Sequence, residues 1–257
     1  MRFLHRTMSG PDNGVSASTP TTDPDGLVLR AAAHADLPVM SRAHVQLLPV
    51  GLFPSLGTRF VRRWHRTYLD SPHGFGYVVV DPAAPEEIVG FLVGTTDHAA
   101  HTAALVADRR MLASLAITGF SALCVRPRVA ARLLRSRLRP WARRLASQRQ
   151  RATSRRPAAP TRTGSVPSPQ VAVMSALAVH PDWRGSGIGV RLAMRFVEHV
   201  RDAGATRAEL QTSTGPLGAA GFYERLGWEA GPQQSSPDGD DALRTYHLAL
   251  RAVSGGT

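Results

Sequence analysis

Arg184-Gly185-Ser186-Gly187-Ile188-Gly189 is the stretch whose residue types and spacing suit a chemical task. An arginine followed by alternating glycines, at the point where a helical pattern begins, is suited to an anion. The first helical turn leaves N–H groups without intrahelical partners, and the helix dipole adds partial positive charge there. Glycine allows close backbone approach, and Arg184 supplies a permanent cation matched to a diphosphate. Two other phosphate loops do not fit. A dinucleotide fold wants Gly-x-Gly-x-x-Gly near the domain start, and a P-loop ends in Gly-Lys-Ser/Thr.

Elements of matching type surround the loop. Val171–Val179 is a strand-like apolar run that turns at His180-Pro181-Asp182-Trp183. After the glycines, Val190, Met194, Val197 and Val200, with Leu192, Ala193 and Phe196 beside them, give an amphipathic helix of about four turns. A second strand pattern runs from Arg207 to Thr212, and Ala219-Ala-Gly-Phe222-Tyr223-Glu-Arg-Leu-Gly227-Trp228 follows it.

The segment Arg184-x-x-Gly187-x-Gly189 after a strand and Val-His-Pro resembles the acyl-CoA signature of the GNAT N-acetyltransferase superfamily. The Ala219–Trp228 stretch resembles that family's second motif, with Trp228 in place of a final Phe. The resemblance covers residues 26–251 in outline and 171–228 in specific motifs. It implies an α/β (α+β) fold with a central mixed, mostly antiparallel sheet flanked by helices, in which the strands at 171–179 and 207–212 splay apart. Acetyl-CoA would be the co-substrate, with no metal. Backbone groups of Leu177, Ala178 and Val179 would hold its pantetheine arm and polarise the thioester. The amides of Arg184, Gly185, Ser186, Gly187, Ile188 and Gly189 would take the pyrophosphate. Tyr223 stands at the family's general-acid position, and a phenol is protonated at neutral pH and can donate. The family often has an Asn seven residues earlier, where this chain has Pro216. Its strand carboxylate is absent too, the equivalent stretch offering Met174 and Ser175. Asp97, at the exit of the third expected strand, is the candidate base.

The 257 residues, 43% of them hydrophobic, suit one domain with additions. The single cysteine, Cys124, excludes a disulfide framework or cysteine-rich metal site. Without a signal-peptide h-region or an apolar run of about 18 residues, a cytoplasmic location is expected. All 31 basic residues are Arg. From Arg109 to Pro181 there are 15 Arg and no acid, against 16 Arg and all 19 acids elsewhere, so the basicity is local.

Residues 1–25 read as a disordered tail and 252–257 as a second tail, with the acetyltransferase domain at 26–251. Leu27–Arg30 is expected as the first strand, then helices from Ala35 to Leu48 and Ser55 to Leu69. The second helix carries Leu56, Phe60, Trp64 and Tyr68, read as core residues. Phe75–Asp81 and Glu87–Gly94 read as a hairpin, with Thr95–His98 as a polar exit and His98 and His101 in a surface loop. Gly231–Asp241 reads as a loop and Leu243–Leu250 as the last strand.

Between the third and fourth expected strands lies a basic helical and linker insertion at about 109–169. Arg109-Arg110 precede fifteen uncharged residues, Met111–Val125, and Arg126-Pro-Arg128 follows. Leu134, Leu138, Trp141 and Leu145 then share a helical face, interrupted at Pro140. The pattern suits a peripheral membrane contact, or a helical lid over the acceptor. Nucleic acid is the weaker anionic candidate, because Trp141 is the only aromatic after Phe120 in the insertion. The expected function is transfer of acetyl from acetyl-CoA to a primary amine, bulky and amino-sugar or carrier-linked, with a protein or peptide amine as the alternative. A different class, an anionic polymer or membrane-binding protein with a degenerate acetyltransferase domain, is opposed by intact Arg184, Gly187, Gly189 and Tyr223.

Overall fold

The computed structural model describes residues 21–22, 26–49, 51–127, 129–131, 169–216, 218–235 and 242–250. One eight-stranded sheet organises them: β1 (Thr21–Thr22), β2 (Val28–Ala31), β3 (Gly74–Asp81), β4 (Ala84–Thr95), β5 (Val171–Val179), β6 (Arg207–Ser213), β7 (Glu229–Ser235) and β8 (Ala242–Ala249). Their spatial order is β1-β2-β3-β4-β5-β6-β8-β7. Every neighbouring pair is antiparallel except β5 and β6, which run parallel. A parallel pair needs a crossover, and the helix α6 (Ile188–Asp202) supplies it.

The sheet has a core on each face. On one face α6 buries Ile188, Leu192, Ala193, Phe196, Val197 and Val200 against Phe75, Tyr77, Val79, Val89 and Leu92. Gly94 lets this helix close in, since a Cβ there would meet the Phe196 ring at 2.8 Å. On the other face α1 (Leu37–Leu47) and α3 (Thr58–Leu69) bring Met40 and Tyr68 to Val78, Val80, Phe91 and Val93. A short α2 (Leu52–Leu56) precedes α3, and Gly57 between them has φ +89°, so the expected start at Ser55 becomes two helices.

Other expectations also change. Thr21–Thr22 pair with Val28 and Leu29, so the tail is ordered at that point. Thr95–His98 is not a plain exit: α4 (His98–Ala107) starts there, and His101 is buried on it rather than exposed in a loop. α5 (Arg109–Val125) follows. The expected Leu134–Leu145 face and the residue 252–257 tail lie outside the described residues. The expected loop at Gly231–Asp241 is instead a strand as far as Ser235, within β7 (Glu229–Ser235). It tolerates Pro232 because it is an edge strand whose register with β8 shifts between Ala230 and Gln233.

Between α1 and α3 the core holds a pair of histidines. His65 Nε2 lies 3.1 Å from His44 Nδ1, and both rings are buried beside Phe91. Burial lowers His44 from 6.5 to about 4, and burial together with His44 lowers His65 to about 3. Both are therefore folded as neutral rings. The unfolded chain takes up these protons near pH 6.5 and the folded chain only near pH 4 or 3, so stability is full above 6.5 and falls with pH below it. The slope is about 1.4 kcal/mol per pH unit for each histidine. Urea unfolding at pH 6.5, 5.5 and 4.5 checks this: the double variant His44→Leu/His65→Leu should lose less stability over that interval than the native chain.

Candidate active site

The pairing of β5 with β6 stops halfway. Val171–Met174 pair with Arg207–Leu210, and beyond Met174 the two strands share no pairing. β6 instead stays with β8 through Ser213. The β6-facing edge of Ser175–Val179 thus borders an opening rather than a strand.

A bulge in β5 sits at the same point. The register with β4 steps from Val93↔Ala176 to Gly94↔Met174, passing over Ser175. One extra residue reverses which way the following side chains face. Ala172 and Met174 lie in the α6-side core, whereas Ala176 and Ala178 lie in the α1/α3-side core. Leu177 and Val179 consequently turn back to the α6 side.

The chain leaves β5 through His180 and a 3-10 turn, Pro181–Trp183, into the glycine loop. Ser186 Oγ donates to the Trp183 carbonyl at 2.7 Å and closes this turn. Arg184, Gly185, Ser186 and Gly187 are exposed, while Ile188 anchors the helix start in the core. The three glycines are there for different reasons. Gly185 and Gly187 have φ of +86° and +85°, and Gly187 caps α6 in the left-handed conformation. Gly189 has no such constraint; a Cβ there would touch Phe222 and Val179 at ordinary distances. The exposed N-terminus of a 15-residue helix meets the loop, with its first N–H groups and dipole turned outward.

Tyr223 reaches the vertex of the opening from α7 (Ala220–Arg225). Its hydroxyl donates to Met174 Sδ at 3.7 Å, and Met174 with Leu210 is the last β5–β6 pair. Phe222, Trp228 and Tyr246 rings surround it. Burial pushes the phenol well above its ordinary value, so it stays protonated. A thioether is a weak acceptor, and the proton remains available to a better one.

The other face of β5 meets α3. Tyr68 Oη donates to Ser175 Oγ at 3.0 Å, and burial pushes this phenol up to about 12. Tyr68 stacks on His101 at 4.8 Å and meets Trp64 edge-on at 5.1 Å. Phe53 stacks on Trp64 and Phe60 at 4.8 and 5.6 Å. An aromatic row therefore runs from the bulge toward α2, and Phe53 at its end is exposed. Trp64 and Tyr68 pack as the helical spacing predicts, but the contact of Tyr68 with Ser175 is not visible in sequence.

Asp97 is the N-cap of α4, its Oδ1 accepting from the Ala100 N–H at 3.0 Å. A capping aspartate ahead of an Ala-rich run was the available signal for α4. Asp97 lies two residues beyond Thr95, which pairs with Val173 on the N-terminal side of the bulge. Pro216 is exposed beyond β6. Among the described residues no group of three or more His, Cys, Asp or Glu side chains could hold a metal ion.

Comparison with known proteins agrees with this geometry. Residues 152–228 match the model of the Acetyltransferase (GNAT) family. A Methanocaldococcus jannaschii protein described as an uncharacterized N-acetyltransferase is 38% identical over 60 residues, 23% of this chain and 26% of that protein. The match thus spans about a quarter of that relative's length. The solved structure of Arabidopsis thaliana NAA60 in complex with acetyl-CoA superposes with a TM-score of 0.51 at 12% identity, covering 87% of this chain and 98% of that one. Ard1 from Thermoplasma volcanium gives 0.49 at 14% identity, covering 88% and 98%. At such identities the NAA60 likeness is one of fold. The motifs of residues 184–189 and 219–228 fall inside the family-model match, and over residues 152–228 the chain is similar to the Acetyltransferase (GNAT) family.

Proposed function

We propose that the protein is an N-acetyltransferase that moves an acetyl group from acetyl-CoA to a primary amine by direct attack in a ternary complex. The observation that carries this reading is the opening between β5 and β6, with a donor hydroxyl at its vertex and an exposed helix N-terminus at the far end of β5. Acetyl-CoA has a matching layout, a thioester at one end of a flexible arm and a diphosphate at the other. In this reading the loop from Arg184 to Gly189 takes the diphosphate, and the free edge at Leu177, Ala178 and Val179 holds the arm.

The chemistry follows from these positions. A neutral amine attacks the thioester carbonyl carbon, a C–N bond forms, and the C–S bond breaks. Strand N–H groups stabilise the developing oxyanion, a contact worth roughly 3 kcal/mol per donor in acyl-transfer sites. The leaving thiolate has a conjugate acid of pKa about 8.5, and Tyr223 donates its proton to it. The amine's own proton goes to Asp97, whose Oδ1 is held by the Ala100 N–H. Met174 and Ser175 offer no carboxylate on β5.

The acceptor in this reading is bulky, such as an amino sugar on a carrier. The aromatic row ending at exposed Phe53 supports it, giving an apolar surface beside the bulge for a body larger than a free small amine. A protein or peptide amine is the second acceptor class, and acetyl transfer measured across a panel of amine classes separates the two.

Three substitutions test the assignment. Gly187→Glu forces a side chain into a left-handed backbone and sets a like charge against the diphosphate, so acetyl-CoA affinity should fall at least tenfold by calorimetric titration. Unchanged affinity would remove the loop from the site. Tyr223→Phe keeps the ring packing and deletes the hydroxyl: turnover should drop about 10²-fold with little change in acetyl-CoA affinity, and full turnover with rate-limiting chemistry excludes the acid role. Asp97→Asn retains an oxygen to cap α4, so melting should be unchanged while kcat/KM falls about 10²-fold. Full activity excludes Asp97 as the base.

A further inference from the structure

Among the described residues, α5 has a second apolar face that no other element covers. Its inner face docks on α3: Arg63 donates to Ser114 Oγ, and Gly119 sits so close to the Phe60 ring that a Cβ would come within 3.3 Å. Leu112, Ala113, Ala116, Ile117, Phe120, Ser121 and Cys124 recur at helical spacing on the outer face, and all are exposed. Ile117 is 68% and Phe120 71% accessible, and Val125 at the helix end is 81%. Of eight large hydrophobic residues exposed among the described ones, five are on α4 and α5. Large apolar side chains gathered in one patch mark an interaction surface, unlike the same number scattered singly.

The charge around the patch indicates what covers it. Arg109 and Arg110 are exposed at the start of α5, and Arg126 just beyond its end is exposed with its guanidinium donating to the Ser55 carbonyl at 2.9 Å; no acidic side chain lies on the helix between. Asp108, the nearest acid, is engaged in capping α5 through the Arg110 and Met111 N–H groups. The sequence then carries no acid until Asp182. An apolar face flanked by arginines suits a surface that offers hydrocarbon and anionic groups together. A protein surface would have to combine a complementary groove with acidic residues at its ends, whereas an anionic bilayer presents both everywhere.

We propose that the outer face of α5 lies in the interface of an anionic lipid bilayer. The helix is 17 residues, about 25 Å at 1.5 Å per residue, and none of the described helices is long and apolar enough to cross a membrane. It therefore lies along the surface. Leu112, Ile117 and Phe120 enter the acyl boundary, and Arg109 and Arg110 stay at headgroup level. Because α5 docks on α3, the sheet face carrying Tyr68 is turned toward the lipid and the α6 face away from it.

The single cysteine gives a direct test. The full chain, labelled at exposed Cys124 with an environment-sensitive fluorophore, is mixed with vesicles of phosphatidylcholine alone or with phosphatidylglycerol added. The label should shift to the blue on the anionic vesicles, and unlabelled protein should sediment with them, less so as salt rises. Ile117→Asp/Phe120→Asp should lower the partition coefficient at least tenfold while circular dichroism stays native, since both side chains point outward. Equal partition of that variant would overturn the proposal by assigning binding to the arginines alone. So would absence of sedimentation at low salt. Self-association or duplex DNA binding without a response to vesicles would overturn it as well, in favour of a second copy or a nucleic acid on this face.

Discussion

The divergence of β5 from β6 is the constraint on which the rest of the site depends. Two parallel strands that pair for four residues and then part leave an edge of backbone without a ladder, and such an edge is costly unless something satisfies it. β8 prevents β6 from following β5, because it holds β6 from Arg207 to Ser213. The bulge at Ser175 adds a local twist where the strands separate. The opening is therefore held by pairing on both outer sides, with β4 on β5 and β8 on β6.

The bulge also divides the chemistry between the two faces of the sheet. Met174, before it, faces the α6-side core and receives the Tyr223 hydroxyl; Ser175, within it, receives the Tyr68 hydroxyl from α3. Two phenols are thus brought to consecutive residues from opposite sides. Burial keeps both protonated, but their partners differ in strength. Tyr68 is committed to a hydroxyl oxygen at 3.0 Å, which fixes α3 against the bulge, whereas Tyr223 rests on a thioether that competes poorly for its proton.

What the sequence revealed and what it hid follow from this. Val171–Val179 and the helix after Gly187 were legible because an apolar run, positive-φ glycines and a 3.6-residue period are all local signals. The bulge was not, since Val-Ala-Val-Met-Ser-Ala-Leu-Ala-Val is apolar on both faces apart from Ser175, and one small hydroxyl residue does not mark a change of side. α4 was less legible because Thr95-Thr-Asp97-His98 suits a polar exit from a strand as well as a helix cap. β7 was hidden by Gly231 and Pro232, which an edge strand accommodates at a register shift. The buried His44–His65 pair joins helices through tertiary contact alone, and nothing in either helix's own pattern announces it.

The long connection between β4 and β5 has a consequence for how this fold tolerates change. Residues 96–170 intervene between two strands that pair along six positions. Loop-closure entropy grows only with the logarithm of length, so lengthening a connection of about ten residues to this size costs roughly 2 kcal/mol, and ordered helices within it reduce that further. A few cross-strand pairs offset such a sum. Segments can therefore be gained or lost after α4 while Thr95 and Val173 stay opposed, and the walls of the opening are insulated from the length of what connects them.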